Sequence, residues 1–175
     1  MSTITTEVEQ AVPTGTWTLD KVHSQVGFAV KHAGVSLFKG GLDEFGATLE
    51  GGTLSGNAGV ASIKVQDENL SGHLLSPDFF DAARFPEISF VSTALRRDGD
   101  ELTVEGELEI RGARRPVRLT GTIAGPVTDR IGITLETTVD RTDFGMNWNM
   151  ELPSGGIALE NEVKLTADLE LVKGS

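Results

Sequence analysis

Four long stretches of this chain alternate apolar and polar residues with a period of two. Leu102, Val104, Gly106, Leu108 and Ile110 alternate with Thr103, Glu105, Glu107, Glu109 and Arg111. Val117, Leu119, Gly121 and Ile123 alternate with Arg118, Thr120 and Thr122. Ile131, Ile133, Leu135, Thr137 and Val139 form a third series, and Val163, Leu165, Ala167, Leu169 and Leu171 a fourth. A helix would scatter such a pattern over all its faces. A strand puts every apolar member on one side, so each stretch reads as an antiparallel strand with one face buried.

Earlier segments carry the pattern less cleanly. Val26, Phe28 and Val30 share one parity before His32, and 42–49, 59–65 and 88–95 also read as strands. Breaks fall at Glu50-Gly51-Gly52, Asp98-Gly99, Gly112 to Pro116 and Gly125-Pro126. Asp98-Gly99 between two strands predicts a type I′ hairpin. One segment departs from the pattern. Ser76 suits a helix N-cap, Pro77 the first helical position and Asp78 the positive end of the dipole, so a short helix is expected over 77–84, ended by Phe85-Pro86. About eight strands in 175 residues predict an all-β fold, an antiparallel barrel closed to remove its edges. A two-sheet sandwich satisfies the same pattern.

The middle of several apolar faces is small: Gly106, Gly121, Thr137 and Ala167 lie between larger residues. In a barrel this would leave an elongated apolar cavity. The same glycines would equally allow strands to coil sharply. The stretch Phe144, Met146, Trp148, Met150 has the parity of a barrel interior near its mouth, and soft methionines suit variable apolar ligands. Pro153-Ser154-Gly155-Gly156 follows as a loop able to act as a gate.

Polar candidates are few. The chain has no cysteine, hence no disulfide framework, thiol nucleophile or thiolate metal site. Its net charge of −11 argues against nucleic acid as a partner. His23, His32 and His73 show no metal-binding spacing, and no catalytic triad or nucleophile elbow is present. His23 with Ser24 is read as a turn satisfying its own hydrogen bonds. Arg141 and Asp143 are read as an ion pair at the barrel rim, with contact between Arg141 and an anionic headgroup as the alternative. Arg111, Arg114, Arg115 and Arg118 form a basic cluster, read as a solvated hairpin, with docking on an anionic membrane as the alternative. The first twelve residues lack a basic segment followed by an apolar run, so a cytoplasmic protein is expected.

Trp17-Thr18-Leu19-Asp20 with His23-Ser24, Phe28 with Val30-Lys31-His32, and Lys39-Gly40 with Phe45 occur in the order and spacing of the YceI-like family. So do His73-Leu74, Ser76, Asp78-Phe79-Phe80-Asp81, Phe85-Pro86 with Ile88 and Phe90, then Gly106-x-Leu108-x-Ile110-Arg111-Gly112 and Arg141-x-Asp143-Phe144-Gly145. From residue 16 to about 172 the chain resembles that family. The resemblance implies an extended, lipocalin-like barrel holding an isoprenoid or other lipid chain, such as an isoprenoid quinone or a polyprenyl phosphate, and often a homodimer.

Together these readings predict an N-terminal flexible segment over 1–15 and a barrel domain over 16–173. The protein is expected to bind, store or transport a long-chain lipid without catalysis and with no cofactor or metal. The residues expected to touch the lipid are Phe28, Phe45, Phe79, Phe80, Phe90, Val104, Leu108, Leu119, Leu135, Phe144, Met146, Trp148 and Leu165, with His32 and Arg141 toward a headgroup. A hydrolase or isomerase for a lipid-like substrate, and a filled structural barrel with a partner-binding surface, are the competing readings.

Overall fold

The computed structural model describes residues 12–174. Eleven strands form one antiparallel sheet: β1 (Thr16–Leu19), β2 (Gln25–His32), β3 (Ser36–Leu42), β4 (Phe45–Glu50), β5 (Thr53–Gly59), β6 (Ile63–Lys64), β7 (Glu87–Asp98), β8 (Glu101–Ile110), β9 (Ala113–Val127), β10 (Arg130–Asp140) and β11 (Leu159–Lys173). Eight of them close into a ring in the order β1-β4-β5-β7-β8-β9-β10-β11, with β11 returning to β1. The expected barrel is therefore present, and the sandwich is not. Most of the segment expected to be flexible, residues 1–11, lies outside the described residues.

Strand β11 has two partners along its length. Leu171–Lys173 pairs with β1, whereas Leu159–Asp168 pairs with β2. The chain between β1 and β2 makes a 3-10 turn over Lys21–His23, which splits what would be one strand into two. Asp20 and Ser24 hold that turn: the Asp20 carboxylate accepts from Val22 N, and Ser24 Oγ donates to Asp20 O and accepts from Glu170 N. Beyond the turn, β2, β3 and β6 extend the sheet as a flap. Strands β3 and β4 are consecutive but do not pair, because β4 turns to β1 and β5 while β3 pairs with β2 and β6. The wall thus closes fully at the β1 end and opens along the flap at the other.

The one α-helix among the described residues, α1 (Glu68–Leu75), and the loop after it pack at the open end. It lies upstream of the expected helix at 77–84. Asp67 is its N-cap, accepting from Asn69 N, and Leu70 and Leu74 share one face. Ser76 ends this helix instead of starting another: both its backbone N–H and its hydroxyl donate to His73 O. Residues 77–84 then form turns, with Asp81 at φ +53°. Three other local expectations also change. Gly99 is at φ +63° but Asp100 is not at positive φ, so the β7–β8 hairpin is not type I′. The positive-φ pair occurs at Arg111-Gly112 between β8 and β9, and 113–116 continue as strand. The stretch 59–65 breaks at a 3-10 turn over Val60–Ser62.

The glycines Gly106 and Gly121 answer to strand approach. A Cβ on Gly121 would stand 1.7 Å from Thr134 O on β10, and one on Gly106 would stand 2.3 Å from Val91 O. Gly106 faces a bulge between Ser92 and Ala94 in β7, where the buried Ser92 hydroxyl accepts from Leu54 N.

Candidate functional site

The interior has two apolar clusters. One fills the β1 end: Trp17, Leu49, Leu54, Leu102, Val104, Ile123, Ile131, Ile133, Leu135, Leu169 and Leu171. The other gathers Ile63, Leu74, Phe79, Leu108, Ile110, Phe144 and Met146 beneath α1. Between and beside them lies a cavity of about 640 Å³. It is walled by β2 to β5, by the inward faces of β7 to β11, and by α1 with the segment 144–150.

Fourteen of the fifteen residues expected at the site line this cavity. They are Phe28, Phe45, Phe79, Phe80, Phe90, Leu108, Leu119, Leu135, Phe144, Met146, Trp148 and Leu165, together with His32 and Arg141. Val104 does not: it is fully buried in the β1-end cluster. Its parity is inward as expected, but it sits too far along β8 to reach the cavity. Thr137 and Ala167 line the wall, whereas Gly106 and Gly121 do not. The small-waist reading therefore holds for two residues and the coiling reading for the other two.

Several lining residues carried no clear signal in the sequence. His73 stands edge-on to Trp148 and Phe79, with ring centroids 4.7 and 5.0 Å away, and its Nε2 lies 2.9 Å from Asp78 Oδ2. Phe28 and Phe38 meet at 6.1 Å. Leu37 lines the cavity yet is 59% exposed, which places it at the mouth; Met150, 53% exposed, also lines it, on the stretch whose parity pointed to the mouth. The i,i+4 pair Leu70 and Leu74 would have marked α1 had Asp67 been recognised as its cap.

Arg141 is the polar centre of the wall. It follows β10 in a 3-10 turn capped by Asp140, whose carboxylate accepts from Thr142 N and Oγ1. Arg141 is only 4% exposed. Its Nε donates to Glu160 O at 3.0 Å, and its Nη1 to Met146 O at 2.7 Å and Trp148 O at 2.8 Å. Burial lowers its pKa from the ordinary arginine value, with nearby Asp140 opposing. The expected ion pair with Asp143 is not formed: Asp143 is exposed, and its backbone carbonyl accepts from Arg115 instead.

The basic hairpin and the Asp20, His23 and Glu170 cluster lie outside the cavity. Arg114 bonds Glu109, and Arg111 donates to Pro77 O, so the basic hairpin is engaged with its neighbours. Asp20, His23 and Glu170 converge on the surface, as a metal set might, but Arg130 already donates to both carboxylates. His23 and Arg130 hold the Asp20 carboxyl down at about 2, and Asp20 raises His23 above its usual value. Among the described residues, no helix is long and apolar enough to cross a membrane.

An eight-stranded closed ring around an apolar cavity, with a helix at its open end, defines a small hollow β-barrel. The YceI-like domain family matches residues 17–171, and this chain belongs to it. A UPF0312 protein of Staphylococcus aureus strain USA300 is 33% identical over 167 residues, covering 88% of this chain and 95% of the relative. The fold matches Burkholderia cenocepacia BcnA with a TM-score of 0.72 at 22% identity, over 87% of this chain and 98% of that one. It matches a polyisoprenoid binding domain from Saccharophagus degradans at 0.71 and 14% identity, over 90% and 98%. A Campylobacter jejuni YCEI protein gives 0.69 and 26% identity over the same shares.

Proposed function

We propose that this protein binds the tail of an isoprenoid or other long-chain lipid in the cavity and carries or stores it without chemical change. The supporting observation is the cavity wall: Phe28, Phe45, Phe90, Leu108, Leu119, Leu135 and Leu165 present carbon to a space of about 640 Å³, within the size of small-molecule sites. Burial gives about 0.8 kcal/mol per CH₂, so one five-carbon isoprene unit yields roughly 3–4 kcal/mol gross. Association costs about 4–15 kcal/mol, so a few such units suffice for binding without strong polar contacts. Isoprenoid quinones and polyprenyl phosphates belong to the ligand class, with Arg141 toward the headgroup.

The exposed Leu37 and Met150 at the mouth suit transient contact with a membrane surface during loading. A homodimer in the cytoplasm completes the proposal. Organic extraction and native mass spectrometry of freshly purified protein test its core. A co-purified lipid at one per chain is expected. An empty protein that also fails to take up quinones, polyprenols or fatty acids contradicts it. The competing hydrolase or isomerase needs converging acid–base groups, and no carboxylate is among the described cavity-lining residues.

A further inference from the structure

A guanidinium carries five N–H donors. In Arg141 the single Nε–H is spent on Glu160 O, and the two on Nη1 go to Met146 O and Trp148 O. Nη2 is buried and has no hydrogen-bond partner. Both of its donors are therefore unused on a side chain that is 4% exposed and lines the cavity.

The charge is only partly matched, because the nearby Asp140 carboxylate favours it but accepts no hydrogen bond from it. Arg141 is the only fixed charge among the described cavity-lining residues, which include no Asp, Glu or Lys. This holds in a chain whose net charge is −11. The neighbouring Asp140 carboxylate is committed to capping the turn at Thr142. Leaving the donors of a buried cation unpaired is costly, more so than leaving a neutral donor. Three backbone carbonyls answer its geometry as a clamp on the segment 146–160, but they supply no negative charge.

We infer that Arg141 Nη2 is the receptor for a terminal oxyanion, a carboxylate or phosphate, on a ligand whose tail lies in the cavity. This rests on the lipid-binding reading above and makes it specific: the ligand is an amphiphile with an anionic head, and the head is held inside the barrel. The two Nη2 hydrogens diverge, so an oxyanion takes one charge-assisted bond from Nη2; the two-nitrogen fork is closed because Nε and Nη1 are engaged. Leu135, Thr137 and Val139 lead away from Arg141 along β10 at roughly 3.3 Å per residue, providing the apolar track for the tail. His32 is exposed on the flap and contributes no comparable selectivity.

The test compares heads on matched tails by calorimetry with the delipidated full chain: oleate against oleyl alcohol, and farnesyl phosphate against farnesol. The acid or phosphate is expected to bind at least tenfold more tightly than its alcohol. Whichever pair shows the larger ratio identifies the carboxylate or the phosphate as the natural head. Arg141→Gln should reduce that ratio to near one while leaving alcohol binding in place, and His32→Ala should leave the ratio unchanged. Equal affinities for acid and alcohol in the wild type overturn the inference and leave the lipid-binding reading intact. Binding of neither class overturns both. Because the wild-type comparison needs no variant, it decides the matter even if Arg141→Gln does not fold; loss of the ratio in His32→Ala would also overturn the assignment to Arg141.

Discussion

At the β1 end of the barrel, Trp17, Leu49, Leu102, Val104, Ile131 and Leu171 meet across the axis, each no more than 2% exposed. Toward α1, Phe28, Phe45, Phe90, Leu119 and Leu165 are half-buried around open volume. The same strands build both ends: β8 contributes Leu102 and Val104 to the first and Leu108 and Ile110 to the second. The difference lies in what closes the wall. At the first end β1 bridges β4 and β11, so the ring is tight and side chains from opposite walls touch. At the second, β2 and β3 swing out as a flap and α1 packs against the gap. One end is a stabilising core, and the other trades packing for room.

This contrast predicts different costs for the same substitution. Leu102→Ala at the packed end should lose about 2–5 kcal/mol in urea unfolding, the range for a buried leucine. Leu165→Ala on the cavity wall should lose about half as much or less, because its side chain already borders empty space. Equal losses would mean that the second end is packed like the first.

Gly121→Ala should cost about 3 kcal/mol, the upper end of overpacking effects, because the added methyl would meet the Thr134 carbonyl. Gly132→Ala, with nothing within 4 Å of its added carbon, serves as the control and should change stability by less than about 1 kcal/mol. A tolerated Gly121→Ala would show that the close approach of β9 and β10 relaxes freely.

Ala167→Phe places a ring in the cavity between Leu135 and Val26, its cross-strand neighbours. If it displaces three or four methylenes of a bound tail, affinity should fall by about 2–3 kcal/mol with the fold retained. Unchanged lipid affinity in a folded variant would move the tail elsewhere.

The smallest effect belongs to the surface. The Asp20 carboxyl is held at about 2 against an ordinary 3.8 by His23 and Arg130. A carboxyl depressed on folding adds stability that is fully present above its unfolded pKa, so this contribution fades as pH falls from about 4 through 2. His23, raised above 6.5, adds stability that is present below that value and fades as pH rises through its folded pKa. Asp20→Asn should flatten both limbs of a thermal-stability profile slightly, as expected of exposed pairs. Unaltered limbs would show the network to be energetically silent.

The strands of the second half were legible because each buries one face, which leaves a strict two-residue rhythm. The flap was less so: Gly27, Gly40 and Gly41 carry no side chain to mark a face, and β2 and β3 are lined on one side by cavity instead of core. Val104 shows the limit of parity, which tells which face a residue takes and not how far along the barrel it lies. The helix was misplaced because Ser76 and Pro77 suit a start by composition, while the actual hydrogen bonds make Ser76 a stop. The role of Arg141 was visible only as a choice between Asp143 and a headgroup. The turn geometry that sends Asp143 outward decided against the first.

A cavity that binds an apolar tail should respond to the length of that tail. A calorimetric series of saturated fatty acids of increasing length tests this most directly. Each added CH₂ is expected to tighten binding by about 0.8 kcal/mol, close to fourfold, until the cavity is filled and the gain stops. Affinity that does not change with tail length would contradict it.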